Sequence, residues 1–205
     1  MLWIVVTMRQ ETGSNPISSN KKVSIQVKLG GRYFSVHNTI VADGVEQIEV
    51  VIDTPRVTLA PRQEVSPNSA EELLHIVGKG CCSNEISICS EPQNDIVAVM
   101  AIDEKAYKTI TEKWGSRVRF SSPLLDMRHC DEDCLTIDIG EKVCYIRLFD
   151  GGLQRAEAFE VDSTEDVLYY TNEWLDEEWD TPIYIKGDKA VAKLLRKYVK
   201  EVICE

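Results

Sequence analysis

Long apolar runs are missing from this sequence of 205 residues, in which no apolar stretch is longer than a β-strand. A membrane-spanning helix needs about 18 or more such residues in succession. The N-terminal run from Met1 to Val6 turns polar at Thr7 and has no positively charged segment before it, unlike a secretory signal peptide. We therefore expect a soluble, cytoplasmic protein without membrane insertion.

An excess of basic residues is also missing. The chain has 23 Lys plus Arg against 34 Asp plus Glu, a formal net charge of −11. Such a field repels the phosphate backbone, which argues against nucleic acid as a partner. The hydrophobic fraction of 43% and charged fraction of 28% are those of an ordinary globular protein, which excludes a disordered or coiled-coil chain.

The cysteine pattern lacks any C-x-x-C pair. Seven cysteines, an odd number in a chain too long to need disulfides, suit a reducing compartment, and we expect free thiols. Adjacent cysteines chelate a tetrahedral ion poorly, and sequence neighbours seldom face one substrate, so we expect neither a zinc site nor a Cys/His nucleophile. The residues considered for these roles are Cys81, Cys82, Cys89, His129, Cys130 and Cys134.

The chain divides into a leader and two halves. Residues 7–22 are polar and have no periodic apolar positions, so a mobile leader is predicted over 1–22. The first half is predicted over 23–122 and the second over 123–205.

The first half opens with apolar and polar residues in alternation, a pattern that predicts β-strands. Runs at 23–29, 33–40 and 45–52, separated by Gly-containing turns, predict a three-stranded meander. Residues 54–67 contain three prolines and no periodicity, and predict a loop. The other elements predicted in this half are a helix capped by Ser69 that runs to Val77, strands at 86–88 and 95–102, a helix at 104–114 capped by Asp103, and an extended segment at 117–121.

The second half starts with a segment, 123–134, that is either a short helix or a crossing between the halves. A second three-stranded meander, a helix, a strand and a final helix follow. Their predicted positions are strands at 135–139, 143–149 and 153–161, a helix capped by Ser163 and Asp166, a strand at 182–186, and a helix opened by Gly187-Asp188 whose inward stripe is Val191, Leu194, Leu195 and Tyr198.

Both halves follow the order β-β-β-α-β-α, which resembles the ribonuclease-H-like unit. Two such units in tandem form the actin-like ATPase fold. Asp138-Ile139-Gly140 with the strands around it resembles the Asp-x-Gly phosphate element of that superfamily, and Ile183 to Asp188 resembles its adenosine turn. The whole pattern over residues 23–200 resembles an uncharacterised bacterial family, a domain of unknown function with a degenerate actin-like ATPase fold. The expected fold class is therefore α/β (α+β), with two ribonuclease-H-like halves arranged as a reduced actin-like fold.

The resemblance implies nucleotide-site positions at Asp138, Gly140, Gly187 and Asp188. Active members carry an acid in the first strand as well, but that strand offers only Ser24, Gln26 and Lys28. Asp188 takes the place of a second glycine, where its carboxylate would repel an anion. We therefore favour a non-enzymatic scaffold or interaction protein with no catalytic residues and no bound cofactor. The alternative is an ATPase or phosphotransferase that binds ATP with Mg²⁺ at Asp138.

An acidic segment, residues 156–180, contains ten Asp or Glu and no Lys or Arg. One interpretation is a solvated surface. The other is a docking surface for a protein partner with a basic surface, with a binding that weakens as salt is added. Trp174 is predicted to lie in the core and Trp179 to be the interface anchor. The predicted docking residues are Asp176, Glu177, Glu178 and Trp179.

Overall fold

The fold is taken from a computed structural model of the chain. The structure describes residues 6–7, 22–28, 45–66, 69–129, 131–175 and 179–205. The strand predicted at 33–40 lies outside these residues.

The described residues form runs of strands interrupted by helices, as in an α+β protein. The strands are β1 (Val6–Thr7), β2 (Lys22–Lys28), β3 (Gln47–Asp53), β4 (Val57–Pro61), β5 (Glu85–Cys89), β6 (Ile96–Asp103), β7 (Val118–Ser121), β8 (Cys134–Ile139), β9 (Val143–Phe149), β10 (Leu153–Glu160), β11 (Ile183–Lys186) and β12 (Val202–Cys204). The α-helices are α1 (Ala70–Ile76), α2 (Glu104–Trp114), α3 (Thr164–Asn172) and α4 (Lys189–Leu195). Short 3-10 helices cover Arg62–Glu64, Gly115–Arg117 and Pro123–Leu125.

The strands of the described residues form three sheets. The first has the order β1-β2-β3-β7, in which β2, β3 and β7 are parallel and β1 is antiparallel to β2. The second has the order β10-β9-β8-β11-β12, with β8, β11 and β12 parallel and the β8-β9-β10 meander antiparallel. The third is an antiparallel sheet of order β4-β6-β5. The meander predicted for the second half is thus confirmed.

The meander predicted for the first half is wrong. Strands β2 and β3 pair directly and in parallel, with Ile25 opposite Val50. In a meander over 23–29, 33–40 and 45–52, the middle strand would separate these two. Alternation of apolar and polar residues identifies a strand and its buried face. It does not identify the strand that pairs with it, because the buried face is the same whichever strand lies alongside.

The loop predicted at 54–67 is also wrong in part, because Val57–Pro61 forms β4. This strand lies at the edge of the third sheet and pairs with β6 from Val57 opposite Met100 to Pro61 opposite Ile96. Proline is tolerated at an edge and at a strand terminus, where its missing N–H removes no necessary hydrogen bond.

The helix starts follow the predicted caps. Asp103 Oδ1 accepts a hydrogen bond of 2.8 Å from the amide of Ala106 at the start of α2. Ser163 and Asp166 form a capping box at the start of α3. Ser69 precedes α1, but the cap predicted there is wrong, because its hydroxyl makes no capping hydrogen bond. Among the described residues, no helix has the length and apolar character needed to cross a bilayer.

Two main cores hold the sheets together. The first lies between the first sheet, the third sheet and the face of β8–β10 that carries Cys134 and Tyr145. The second lies between the opposite face of the second sheet and helices α3 and α4. Trp174 is buried there, as predicted, but Tyr198 is 80% exposed. The inward position predicted for Tyr198 is wrong because α4 ends at Leu195, so helical spacing no longer applies.

Candidate functional site

The site begins with a buried ion pair between Asp138 on β8 and Arg147 on β9. Arg147 Nη2 lies 2.6 Å from Asp138 Oδ2, and only 2% of the arginine side chain is exposed. Arg147 Nε donates to Thr136 Oγ1 at 2.8 Å, and Nη1 donates to the carbonyl of Pro123. The guanidinium is therefore bound on three sides, so it is fixed in position.

Strand register explains why these side chains meet. Thr136 lies opposite Arg147 and Asp138 lies opposite Tyr145, so Asp138 and Arg147 are diagonal neighbours on one face of the hairpin. On the other side, β11 places Lys186 opposite Asp138, with Nζ 3.7 Å from Oδ1. Each Asp138 oxygen thus faces a cation. Mg²⁺ is held by carboxylate oxygens, and this arrangement fits an ion pair better than a Mg²⁺ site.

Gly140 follows β8 and faces a carboxylate from the first sheet. A Cβ added at Gly140 would lie 3.0 Å from both carboxylate oxygens of Asp53. Asp53 is the last residue of β3 and is 5% exposed. An acid of the first half therefore reaches the Asp138-x-Gly140 turn, although the first-strand positions Ser24, Gln26 and Lys28 supply none.

Sequence reasoning missed Asp53 because it looked for an acid in the first strand. A signal was present: Asp53 directly follows the apolar residues 50–52 at the carboxyl end of a strand. The carboxyl ends of parallel strands are where an open α/β sheet presents its functional groups.

Tyr145 binds Asp53 across the first core. Its hydroxyl donates to Asp53 Oδ1 at 2.9 Å and accepts from the amide of Thr54 at 2.8 Å. Burial, and then the charge of Asp53, raises the pKa of Tyr145 well above its usual value. The hydroxyl therefore stays protonated and serves as a donor.

The two predicted adenosine-turn residues, Gly187 and Asp188, follow the carboxyl end of β11, which pairs with β8. Gly187 has a φ of +111°, and a Cβ there would lie 2.3 Å from the carbonyl oxygen of Ile139. The turn after β11 therefore packs on the Asp138-x-Gly140 turn. The Asp188 carboxylate accepts a 2.7 Å hydrogen bond from the amide of Ala190 and caps α4. Asp138, Gly140 and Gly187 are thus brought together, while Asp188 has a capping role.

Of the predicted docking residues, Asp176, Glu177 and Glu178 lie outside the described residues. Trp179 is half-buried, packs against the second core and donates its indole N–H to the carbonyl of Thr181 at 2.8 Å. Part of its surface is therefore engaged within the chain, and its role as an interface anchor stays a prediction.

The two buried cysteines of the described residues, Cys134 and Cys144, do not supply a ready thiolate. Burial raises the pKa of Cys144 to about 12, and burial together with the charge of Glu132 raises that of Cys134 to about 11. Both thiols are therefore protonated near neutral pH, which disfavours nucleophilic chemistry. Cys130, considered with His129 as a nucleophile, lies outside the described residues.

Comparisons with solved structures identify the fold. A Bacteroides thetaiotaomicron protein described as having an actin-like ATPase fold and unknown function is similar, with 21% identity, a TM-score of 0.65, and coverage of 78% of this chain and 68% of that chain. Similarity at this level shows the fold alone, and the chain has an actin-like ATPase fold.

Weaker similarities were also found. The cytoplasmic domain of EpsL, an inner membrane component of the type II secretion system of Vibrio cholerae, is 10% identical, with a TM-score of 0.43 and coverage of 80% of this chain and 81% of that chain. The PilM-PilN type IV pilus biogenesis complex contains a chain that is 11% identical, with a TM-score of 0.48 and coverage of 78% of this chain and 69% of that chain.

No curated protein matches this chain. A family match covers residues 34–202, which is most of the sequence. The chain therefore belongs to the family described as protein of unknown function (DUF3822).

Proposed function

We propose that this chain is a cytoplasmic, non-enzymatic scaffold or interaction protein in which the nucleotide site of the actin-like fold is degenerate. The observation that carries the proposal is the buried ion pair between Asp138 and Arg147. A carboxylate that organises Mg²⁺ needs its oxygens free for the ion and its waters. Here Arg147 occupies one oxygen and Lys186 approaches the other.

The proposal includes two ribonuclease-H-like halves, over 23–122 and 123–205, after a leader at 1–22. The second sheet supports this division, because an antiparallel meander is followed by α3, a parallel strand and α4. Strand pairing extends into the proposed leader, since β1 pairs with β2.

The position of Asp53 bears on whether phosphate can bind at this turn. Backbone amides of the Asp-x-Gly turn bind phosphate in proteins with this element, and anions are favoured where such amides converge. In this chain the Asp53 carboxylate lies against Gly140, at the face of that turn. Without a cation between them, this carboxylate and a phosphate at the same face would repel each other. With Mg²⁺ between them, Asp53 would serve as the first-half acid that the ATPase or phosphotransferase alternative requires.

Thermal denaturation with nucleotide tests the proposal. A ligand that binds only the folded state raises the unfolding temperature as its concentration exceeds the dissociation constant. We expect Mg·ATP and Mg·ADP at millimolar concentration to leave the unfolding temperature of the native protein unchanged. An increase that is lost in Asp138→Asn would favour the ATPase or phosphotransferase alternative instead.

The proposal also assigns an interaction surface to the acidic segment, which we propose binds a basic surface of a partner protein. Glu173 and Asp180 are exposed residues of this segment that the structure describes. Cross-linking in cells followed by mass spectrometry would compare the native chain with Glu173→Gln/Asp180→Asn. The matched control is Glu71→Gln/Glu72→Gln, which removes two exposed acids from α1.

We expect the acidic-segment variant to lose a set of cross-linked basic partners that the control retains. The binding of these partners to the purified chain should also weaken as salt is raised, because exposed charges are screened within about 10 Å at 0.1 M salt. Equal recovery of all partners by the variant and the control would refute docking through this segment.

A further inference from the structure

A second cluster of polar side chains lies where the segment before β8 meets the C-terminus. His129, Glu132 and Cys134 each offer one donor atom, and the three atoms lie within 4.8 Å of one another. Glu132 comes two residues before the buried Cys134 that begins β8, while His129 is largely covered and Glu132 is exposed. The cluster is thus attached to a rigid strand on one side and open to solvent on the other.

The two ring nitrogens of His129 both face carboxylates. Nε2 lies 2.8 Å from Glu205 Oε1, and Nδ1 lies 3.2 Å from Glu132 Oε1. A neutral imidazole has one N–H donor, and in the tautomer that carries it on Nε2 this donor points to Glu205. The Nδ1 lone pair then faces a carboxylate oxygen, and this contact is attractive only if a cation, a proton or a metal ion, lies between the two atoms.

We propose that His129 Nδ1, Glu132 and Cys134 Sγ bind a divalent transition-metal ion of the Zn²⁺ class. Nitrogen, oxygen and sulfur donors together suit Zn²⁺, whereas Mg²⁺ and Ca²⁺ take oxygen ligands. At usual Zn–N and Zn–O bond lengths, tetrahedral ligands lie about 3.3 to 3.5 Å apart, close to the observed Nδ1 to Oε1 distance. Cys134 Sγ lies within 4.8 Å of the other two donor atoms, so a small movement of this side chain completes a three-ligand site.

The surrounding residues hold the ligands in the orientation that a metal needs. Metal-binding histidines usually donate their other ring N–H to a carboxylate, and Glu205 is that carboxylate here. Arg128 Nη1 lies 3.1 Å from Glu205 Oε2 and positions it. Tyr184 stacks on the His129 ring at 4.0 Å and donates to Glu132 Oε2 at 2.7 Å. Ring orientation and carboxylate position are therefore fixed by contacts outside the ligand set.

The spacing of cysteines and histidines does not reveal such a site, and the sequence therefore predicts no metal. One ligand is a glutamate, a residue type too common in this acidic chain to stand out, and Glu205 is 76 residues from the histidine it contacts. Metal binding replaces the thiol proton of Cys134, which passes to solvent.

Titration of the tag-free, metal-depleted protein with Co²⁺ tests the proposal, because Co²⁺ reports its ligands by absorption. We expect one equivalent to give tetrahedral d–d bands and a thiolate charge-transfer band, both abolished when Zn²⁺ displaces the Co²⁺. Cys134→Ser should lose the charge-transfer band, and His129→Gln and Glu132→Gln should weaken Zn²⁺ binding at least about tenfold. The control variants Cys204→Ser and His75→Gln should bind as the native protein does.

Circular dichroism checks that each variant is folded. Because Cys134 is buried, its variant can fail to fold. Glu132 is exposed, so Glu132→Gln then tests whether this cluster binds the metal. The proposal is overturned if the native protein binds no Co²⁺, if Glu132→Gln binds Zn²⁺ as tightly as the native protein, or if the thiolate band survives in folded Cys134→Ser.

Discussion

Tyr145 donates a hydrogen bond of 2.9 Å to Asp53, a residue 92 positions earlier in the chain. The contact joins the carboxyl end of β3 in the first sheet to the middle of β9 in the second. The same carboxylate faces Gly140. One buried hydroxyl therefore holds the acid of the first half against the turn that would receive phosphate in an active relative.

Replacing Tyr145 with phenylalanine removes this link while keeping the ring. A buried hydrogen bond to a charged group contributes about 1.5 to 3 kcal/mol, and we expect the free energy of unfolding to fall by that amount. Urea denaturation measures the change. Tyr198→Phe, which removes a hydroxyl from an 80% exposed side chain, should change stability by less than about 0.5 kcal/mol. Equal stabilities of the two variants would contradict the proposed role of the bond.

Arg147→Met leaves Asp138 as a buried charge without its main partner. Removal of one member of a buried ion pair costs about 3 to 5 kcal/mol, and we expect a loss of that size in denaturant unfolding. Asp138→Leu combined with Arg147→Met should recover much of this loss, because an apolar pair of similar volume often replaces an ion pair without cost. Additive losses in the double variant would show that the two side chains are not coupled.

Stability should decline in acid partly through Glu85. Burial pushes the pKa of Glu85 upward, but hydrogen bonds from Arg56 and from the amide of Cys82 outweigh burial and leave the pKa lowered. A carboxyl with a lowered folded-state pKa stabilises the protein above its unfolded pKa, about 4.3, and loses this contribution as pH falls through the folded value.

Urea denaturation below about pH 5 should therefore show a steeper loss of stability in the native protein than in Glu85→Gln. Arg56→Met removes the cause of the lowered pKa and should flatten the dependence in the same way. An identical slope in all three proteins would contradict the assignment to Glu85.

Gly187→Ala should destabilise the protein more than Gly151→Ala. Both glycines have positive φ, and a side chain in such a conformation costs about 1 to 3 kcal/mol. Only at Gly187 would the new Cβ also meet backbone, 2.3 Å from the Ile139 carbonyl oxygen, whereas at Gly151 nothing lies within 4 Å. Thermal denaturation of the two variants makes the comparison, and a larger loss at Gly151 would contradict the packing of the Gly187 turn.

The second half could be read from sequence because its signals are local. Alternation of apolar residues, Gly-containing turns and the capping box of Ser163 each act within a few residues, and β8 to α4 lie where these signals place them. The first half depends on pairing between distant strands. The parallel contact of β2 with β3 and the edge strand Val57–Pro61 follow from tertiary packing, which alternation does not encode.

The sequence also predicted part of the candidate site. Asp138, Gly140 and Gly187 were found by motif and do lie together, but the partners that neutralise Asp138 were not. Arg147 in the otherwise apolar strand β9 was a usable signal, because a charge within such a strand needs a buried partner. The proximity of Asp53 to Gly140 depends on the arrangement of two sheets and could not be read from local patterns.

Isothermal titration calorimetry of the native protein with Mg·ATP tests the central claim most directly, namely that the Asp138-x-Gly140 turn does not serve a nucleotide. We expect no saturable heat at millimolar nucleotide for the native protein or for Asp138→Asn. Saturable heat in the native protein that disappears in Asp138→Asn would contradict it.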